Sequence, residues 1–203
     1  MKKLLLGLIC FVLFSCQTGR FQNSQKLMDD ARKDSIKQDS IMKAADNSIN
    51  SDIGWKVETY TDEFGEPGKE KFIRNNTRVT GSFSNSATER SPLNVDFLID
   101  GPNSISIQLY EYAGSNPVKS STESGYSVKV KQGSEQPVRL LAHNYSDRLQ
   151  FNSSNSKILS KMLEKGGSIK FAIAEISEYS KSTYSFEINN SSGYSEVLKS
   201  LVK

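Results

Sequence analysis

The stretch LNVDFLIDGPNSISIQL, residues 93–109, decides the fold class of this chain. Apolar residues occupy every second position on both sides of the central Gly101-Pro102-Asn103. A period of two is typical of a strand with one buried face, and Gly-Pro-Asn is typical of a turn. The stretch therefore predicts an antiparallel hairpin.

The same alternation extends outward from this hairpin through most of the C-terminal three quarters of the chain. Three later stretches, centred on Val128, Phe171 and Phe186, repeat the pattern clearly. Weaker strand patterns cover residues 55–61, 69–74, 78–83, 138–143 and 148–151. Because one face of each strand is polar, we expect an antiparallel sheet with a solvated face.

Two segments have helical rather than strand periodicity. Residues 156–165 place apolar side chains three and four apart, and Gly166-Gly167 follows them as a helix C-cap would. Residues 192–203 show the same spacing. We therefore predict a mainly β (α+β) fold, either an antiparallel β-sandwich or a partly open barrel, with two packed helices, the last one C-terminal.

The order of elements between Lys157 and Leu201 resembles that of known envelope proteins. It runs helix, Gly166-Gly167, strand, a strand with Tyr184-x-Phe186-x-Ile188, then Gly193-Tyr194 and a helix. This order is similar to the invasion-associated locus B and type VI secretion-associated proteins, and to uncharacterised Bacteroidetes-type lipoproteins. The resemblance implies a fold and an envelope role, and it identifies no catalytic residue. The first two groups often carry disulfide cysteines, which the β-rich segment lacks.

The N-terminus has the pattern of a bacterial lipoprotein signal. Lys2 and Lys3 precede an apolar run, residues 4–14, of about eleven residues, whereas a transmembrane helix needs about twenty. The four residues 13–16, LFSC, resemble a lipobox, although Phe14 is larger than the residue usually found there. An ordinary secreted protein with a chance cysteine is the alternative.

The resemblance to a lipobox implies how the mature chain begins. Residues 1–15 would be the signal peptide, cleaved after Ser15, and the Cys16 thiol would carry diacylglycerol. Fatty acyl chains such as palmitate give stable membrane residence when two or more are attached. No acidic run follows Cys16, since residues 17–22 read QTGRFQ, so we expect an outer-membrane anchor that faces the periplasm.

Residues 16–52 form the predicted lipidated cysteine and polar tether, and residues 53–203 form the β-rich domain. The tether is too polar to bury a core alone. It repeats Asp-Ser-Ile at Ser35 and Ser40, which resembles the Bacteroidetes-type O-glycosylation site. A plain solvated linker is the alternative to glycosylation.

Charge and cysteine content exclude several classes of function. The formal net charge of +3 falls to about +1 when Lys2 and Lys3 leave with the signal, and no basic block follows. Nucleic acid is therefore not an expected partner. Both cysteines, Cys10 and Cys16, precede the domain, which leaves it without a disulfide or a cysteine metal site. We expect no cofactor and no metal.

Candidate catalytic and binding residues are few. His143 is the single histidine, and no Gly-x-Ser-x-Gly elbow accompanies it, so we expect a structural or exposed side chain. The acidic turn around Asp62 lacks the ligand spacing of a calcium loop. Alternation places Tyr110 and Tyr112 on one face, where they would form a binding platform or, alternatively, two half-buried strand tyrosines.

The sequence thus favours a non-enzymatic, lipid-anchored envelope protein that binds another protein or a glycan. A hydrolase of envelope polymers is the first alternative and would show close carboxylates in a cleft. A small-molecule carrier is the second and would show an apolar cavity inside a barrel.

Overall fold

Ten strands and two helices make up the part of the chain that the structure, a computed structural model, describes: residues 53–119, 125–176, 182–190 and 193–201. The strands are β1 Trp55–Thr61, β2 Pro67–Asn75, β3 Val79–Ser84, β4 Ser91–Gly101, β5 Ser104–Glu111, β6 Gly125–Gln132, β7 Val138–Tyr145, β8 Arg148–Phe151, β9 Gly167–Ile176 and β10 Thr183–Asn190. The helices are α1 Ser153–Lys165 and α2 Tyr194–Leu201. The signal, the tether, Cys16, Ser35 and Ser40 lie outside the described residues.

Eight of the strands close into an antiparallel barrel. Around it the order is β4-β3-β10-β9-β6-β7-β8-β5, and β5 pairs with β4 to complete the ring. The hairpin of residues 93–109 supplies the β4–β5 pair, with Val95 opposite Leu109 and Phe97 opposite Ile107. β1 and β2 extend the sheet beyond β4, since β2 pairs with the end of β4 that β3 leaves free.

The mainly β prediction is confirmed, and the sandwich alternative is corrected to a closed barrel. A sandwich needs two sheets whose edges stay unpaired, whereas here every strand of the ring has a neighbour on both sides. The contact that closes the ring is narrow. β5 meets β8 through two residue pairs, Ser106 with Gln150 and Ile107 with Leu149.

Aromatic rings fill the described part of the barrel interior. Phe171 stacks on Phe186 with ring centroids 4.6 Å apart, and Phe97 meets both rings edge to face. Each of these side chains is at most 5% exposed. Burial of one such side chain stabilises the fold by about 2 kcal/mol, so the apolar face that alternation gives each strand stabilises the interior of the barrel.

The two helices lie at the end of the barrel where β6 and β10 finish. Helix α1 begins at Asn152, whose side chain accepts a hydrogen bond from the Asn155 amide at 2.9 Å. It buries Leu159 and Leu163 in the core. Helix α2 buries Tyr194, which contacts the Trp55 ring at 5.2 Å. Both helices are therefore amphipathic and pack their apolar faces against the core, as the spacing of their apolar residues predicts.

Two buried amides satisfy the C-terminal carbonyl groups of α1. Gln132 Nε2 donates to the Met162 and Gly166 carbonyls at 2.8 and 2.6 Å, and Asn190 Nδ2 donates to the Leu163 carbonyl. Gly166 has φ of 75°, and a Cβ there would lie 2.8 Å from the Asn190 carbonyl oxygen. Glycine at this C-cap is thus required both by the backbone angle and by the close approach of β10.

The outer face of β4 and β5 is buried, contrary to the expectation of a solvated polar face. Five of its side chains are less than 10% exposed: Asp96, Leu98, Ser106, Gln108 and Tyr110. Side chains from β1 and β2 reach this face, as Arg74 pairs with Asp96 at 2.5 Å and Tyr60 donates to Asp100 at 2.7 Å. Alternation predicted the direction of these side chains, and the β1–β2 hairpin decided their burial.

Neither described helix combines the length and the apolar composition that crossing a membrane requires.

Candidate functional site

A groove lies on the outer face of β3, β10, β9 and β6. It encloses about 410 Å³, which lies within the range of small-ligand sites. Five hydroxyl side chains line it: Ser82, Ser84, Ser127, Thr183 and Ser185. We call this surface the hydroxyl groove.

Strand register explains why the groove is concave. One cross-strand row joins Ser84, Thr183, Ala174 and Ser127, and the next joins Ser82, Ser185, Ala172 and Lys129. Small side chains occupy the outward positions of the three strands β3, β10 and β9 in both rows. Larger outward side chains stand beyond them on β7, where Leu141 is opposite Ser127 and Arg139 is opposite Lys129. The floor of the groove lies below the side chains of β7 because the outward side chains of β3, β10 and β9 are short.

Cationic side chains stand on both sides of the hydroxyl groove. Arg90 lies beside the β3 end, where its amide donates to Ser84 Oγ at 2.9 Å. Lys129 lies on the β6 side, and the neighbouring Arg139 donates from Nε to Ser127 Oγ at 2.9 Å. Arg90 has φ of 53°, which is uncommon for a non-glycine residue. The groove therefore combines hydrogen-bonding hydroxyls with positive charge.

The described lining of the groove consists largely of hydrogen-bonding and small side chains. Ser82 and Ser185 share a hydrogen bond at 3.0 Å, which uses the proton of only one of the two hydroxyls. Among the described residues, the lining includes neither a histidine nor a carboxylate that could activate a serine. The groove therefore presents hydrogen-bonding groups and positive charge on one surface.

The structure separates the two tyrosines that alternation was expected to place on one face. Tyr110 is 6% exposed, and its hydroxyl donates to Gln108 Oε1 at 3.0 Å while the Arg78 guanidinium lies 4.9 Å from its ring centroid. Tyr112 lies beyond the end of β5 with φ of 56° and is 58% exposed. Its ring meets Phe83 edge to face at 4.9 Å. Strand alternation does not extend past Glu111, so the pair forms no platform.

Asp96 is the centre of the polar network on the outer face of β4. Its side chain is 3% exposed and accepts from Arg74 at 2.5 Å and from Asn75 Nδ2 at 3.2 Å. Arg78 lies 3.6 Å away. Burial by itself lowers the pKa of Arg74, but the hydrogen bond and the charge of Asp96 outweigh it and raise that pKa. The network ties β2 to β4 and is a structural one.

We expect Asp96→Ala to lower the free energy of unfolding by about 3 kcal/mol, because it removes the buried carboxylate that pairs with Arg74 and one of the acceptors of Asn75. Urea unfolding followed by circular dichroism measures this loss. Glu58→Ala is the matched control: Glu58 pairs with Lys56 and Arg74 at the surface, and its removal should cost less than about 1 kcal/mol. Equal losses in the two variants would contradict the assignment of Asp96 as the centre.

A second cluster of titratable side chains lies at the end of the barrel opposite the helices. Tyr184 donates to Glu111 Oε1 at 3.0 Å. Burial raises the pKa of Tyr126 to about 12, with further contributions from Glu175 and Glu111. Burial and Glu111 also raise the pKa of Tyr184. Both phenols are therefore uncharged near neutral pH. The cluster holds the Tyr184 side chain in place at the end of the barrel, where the interior meets solvent.

The remaining candidates have structural positions. His143 is an exposed residue of β7, opposite Gly125 and Gln150. The Asp62 carboxylate accepts from the Phe64 and Glu66 amides, both at 2.9 Å, and so caps its own turn. Among the described residues, three or more His, Cys, Asp or Glu side chains nowhere gather in an arrangement that could hold a metal ion.

Sequence reasoning missed the hydroxyl groove, although a signal for it exists. In β3, β9 and β10 the outward residues are small at two successive alternate positions, as in Ala172 and Ala174. Reading the solvent face for size as well as polarity would have found these pairs. Their assembly into one surface depends on strand order, which alternation does not encode.

No protein-family model, curated protein or solved structure matches the chain.

Proposed function

We propose that this protein is a lipid-anchored cell-envelope protein that binds an envelope component through the hydroxyl groove, without catalysing a reaction. The signal and Cys16 support the anchor, with the outer membrane as its location and the periplasm as the side it faces. The component would be another envelope protein or a glycan. The observation that carries this proposal is the groove itself, an open, hydroxyl-lined and cation-flanked surface.

The packing of the barrel supports an outer rather than an inner binding site. Phe97, Phe171 and Phe186 occupy the interior. The described cavity beside Asn144 and Asp147 holds about 10 Å³, enough for one water molecule. Small-ligand sites need about 300 Å³ or more, a size that the outer groove reaches.

Filling the groove tests the proposal. We expect Ala174→Trp to reduce capture of the bound envelope component by about tenfold, because the indole would occupy the floor between Ser127 and Thr183. Tryptophan is tolerated at exposed strand positions, so the barrel should remain folded. Capture is measured by crosslinking in intact cells, purification of the tagged protein and quantitative mass spectrometry.

Lys71→Trp is the matched control, since Lys71 is an exposed strand residue of β2 outside the groove. A component captured by the native protein and by Lys71→Trp but lost with Ala174→Trp supports the proposal. If native protein and Ala174→Trp capture the same components in the same amounts, the groove is not the binding surface and the proposal fails.

A further inference from the structure

We propose that the hydroxyl groove binds an acidic glycan, meaning a sugar chain that bears carboxylate or phosphate groups. This inference rests on the proposed function and names the chemistry of its ligand. It is carried by the charge of the groove, by the donors and acceptors of its floor and by the pairing of its strands.

The charged side chains among the described residues that line the groove are all positive. Arg90 and Lys129 are exposed, as is the adjacent Arg139, and none of the three pairs with a carboxylate among the described residues. Two arginines elsewhere are neutralised: Arg74 pairs with Asp96, and Arg148 with Asp147. None of the described residues that line the groove is acidic. Three cations beside a lining without described carboxylates would attract an anion. Guanidinium groups also match the geometry of carboxylates and phosphates.

The floor between the cations suits the neutral part of a sugar chain. Hydroxyl side chains both donate and accept hydrogen bonds, as sugar hydroxyls do. Ser84, Thr183 and Ser127 stand in one cross-strand row, interrupted by Ala174, whose methyl group offers an apolar contact. From β3 to β6 the floor spans three inter-strand spacings, roughly 14 Å, which is long enough for several sugar rings.

Strand pairing favours a glycan over an acidic peptide. Each of the four floor strands is hydrogen-bonded on both edges, β3 between β4 and β10, and β6 between β9 and β7. An extended peptide binds a sheet chiefly by adding to a free edge, where its backbone groups find partners. The groove offers side chains alone, so the backbone amides of a bound peptide would lack the usual partners.

Fluorescence polarisation with labelled probes tests the inference on the folded protein. We expect an octamer of galacturonic acid or phosphorylated pentamannose to bind, and the methyl ester of the galacturonate octamer, which is uncharged, to bind at least tenfold more weakly. Binding should weaken when NaCl rises from about 50 to about 300 mM, since exposed ion pairs are screened. Lys129→Gln with Arg139→Gln should weaken binding about fivefold.

Two control variants separate specific contacts from general charge. Lys157→Gln with Lys161→Gln removes the same charge from the exposed face of α1 and should leave binding unchanged. Arg90→Asn should weaken binding while keeping the backbone, because asparagine tolerates positive φ. If the α1 variant weakens binding as much as the groove variant, attraction is non-specific and the inference is wrong.

The remaining outcomes distinguish this inference from the proposed function. Equal binding of a ten-residue glutamate peptide would overturn the choice of a glycan in favour of an acidic peptide. If neither acidic glycan probe binds while Ala174→Trp still abolishes capture from the envelope, the ligand is not an acidic glycan, and the proposed function stands. If Ala174→Trp leaves capture unchanged as well, both proposals fail.

Discussion

We expect Gly81→Ala to destabilise the barrel by about 3–5 kcal/mol, because the added methyl group has no space. A Cβ at this position would lie 2.3 Å from the Ser185 carbonyl oxygen and 2.7 Å from the Phe186 Cβ. Two of the three nearest atoms belong to the backbone of β10, which cannot move aside as a flexible side chain would. Overpacking against side chains costs typically 1–3 kcal/mol, and a backbone collision costs more.

The position of Gly81 makes the loss cooperative. β3 and β10 meet through four residue pairs, of which Gly81 with Phe186 is the last. Displacing β10 at this pair breaks the ring between β3 and β9 and exposes Phe186. Thermal unfolding and urea titration followed by circular dichroism measure the loss, and a lower yield of soluble protein should accompany it.

Gly101→Ala is the control for Gly81→Ala. Gly101 ends β4, and a Cβ there would meet no atom within 4 Å. Its replacement should change stability by less than about 1 kcal/mol. Equal tolerance of alanine at both positions would show that β10 does not approach β3 as closely as the structure has it.

We expect Cys16→Ser to move the protein from the membrane fraction to the soluble fraction, with a decrease in membrane-bound protein of about tenfold or more. A serine at this position cannot receive diacylglycerol through a thioether. Because both acyl chains of diacylglycerol are attached through this one thiol, both would be lost together. Sedimentation of cell envelopes followed by immunoblotting measures the distribution.

Cys10→Ser is the matched control, since it makes the same substitution in the apolar run of the signal. This variant should stay with the membrane. Mass spectrometry of the N-terminal peptide of the native protein should find Cys16 with attached diacylglycerol. Membrane association of Cys16→Ser that survives washing with high salt would show that the anchor assignment is wrong.

Much of the fold could be predicted from local patterns. The hairpin of residues 93–109 forms as alternation and the Gly101-Pro102-Asn103 turn predict. The weaker strand patterns also match: those at 55–61 and 148–151 correspond to β1 and β8 residue for residue. Helix α1 begins three residues before the predicted start because Asn152 provides the cap. Local periodicity succeeded here because each element buries one face.

The choice between sandwich and barrel could not be made locally. It depends on whether β5 pairs with β8, and that contact consists of two residue pairs between segments about forty residues apart. The alternation of apolar and polar residues in β5 and β8 would be the same whether or not these strands pair. The hydroxyl groove could not be predicted locally for the same reason. Ser82, Ala172, Ser185 and Lys129 come from four distant segments, and strand order alone makes them neighbours.

The sequence by itself determined which residues form strands and helices and which face of each strand is apolar, and it predicts which cysteine would carry an anchor. These properties follow from neighbours along the chain: periods of two or 3.6, turn residues and a short motif. Only the tertiary structure decided that the sheet closes, that Tyr110 is buried while Tyr112 is exposed, and that small side chains of four strands form one groove. Whether a side chain is buried, and which residues lie beside it on adjacent strands, depends on contacts between distant segments. No local pattern specifies these contacts.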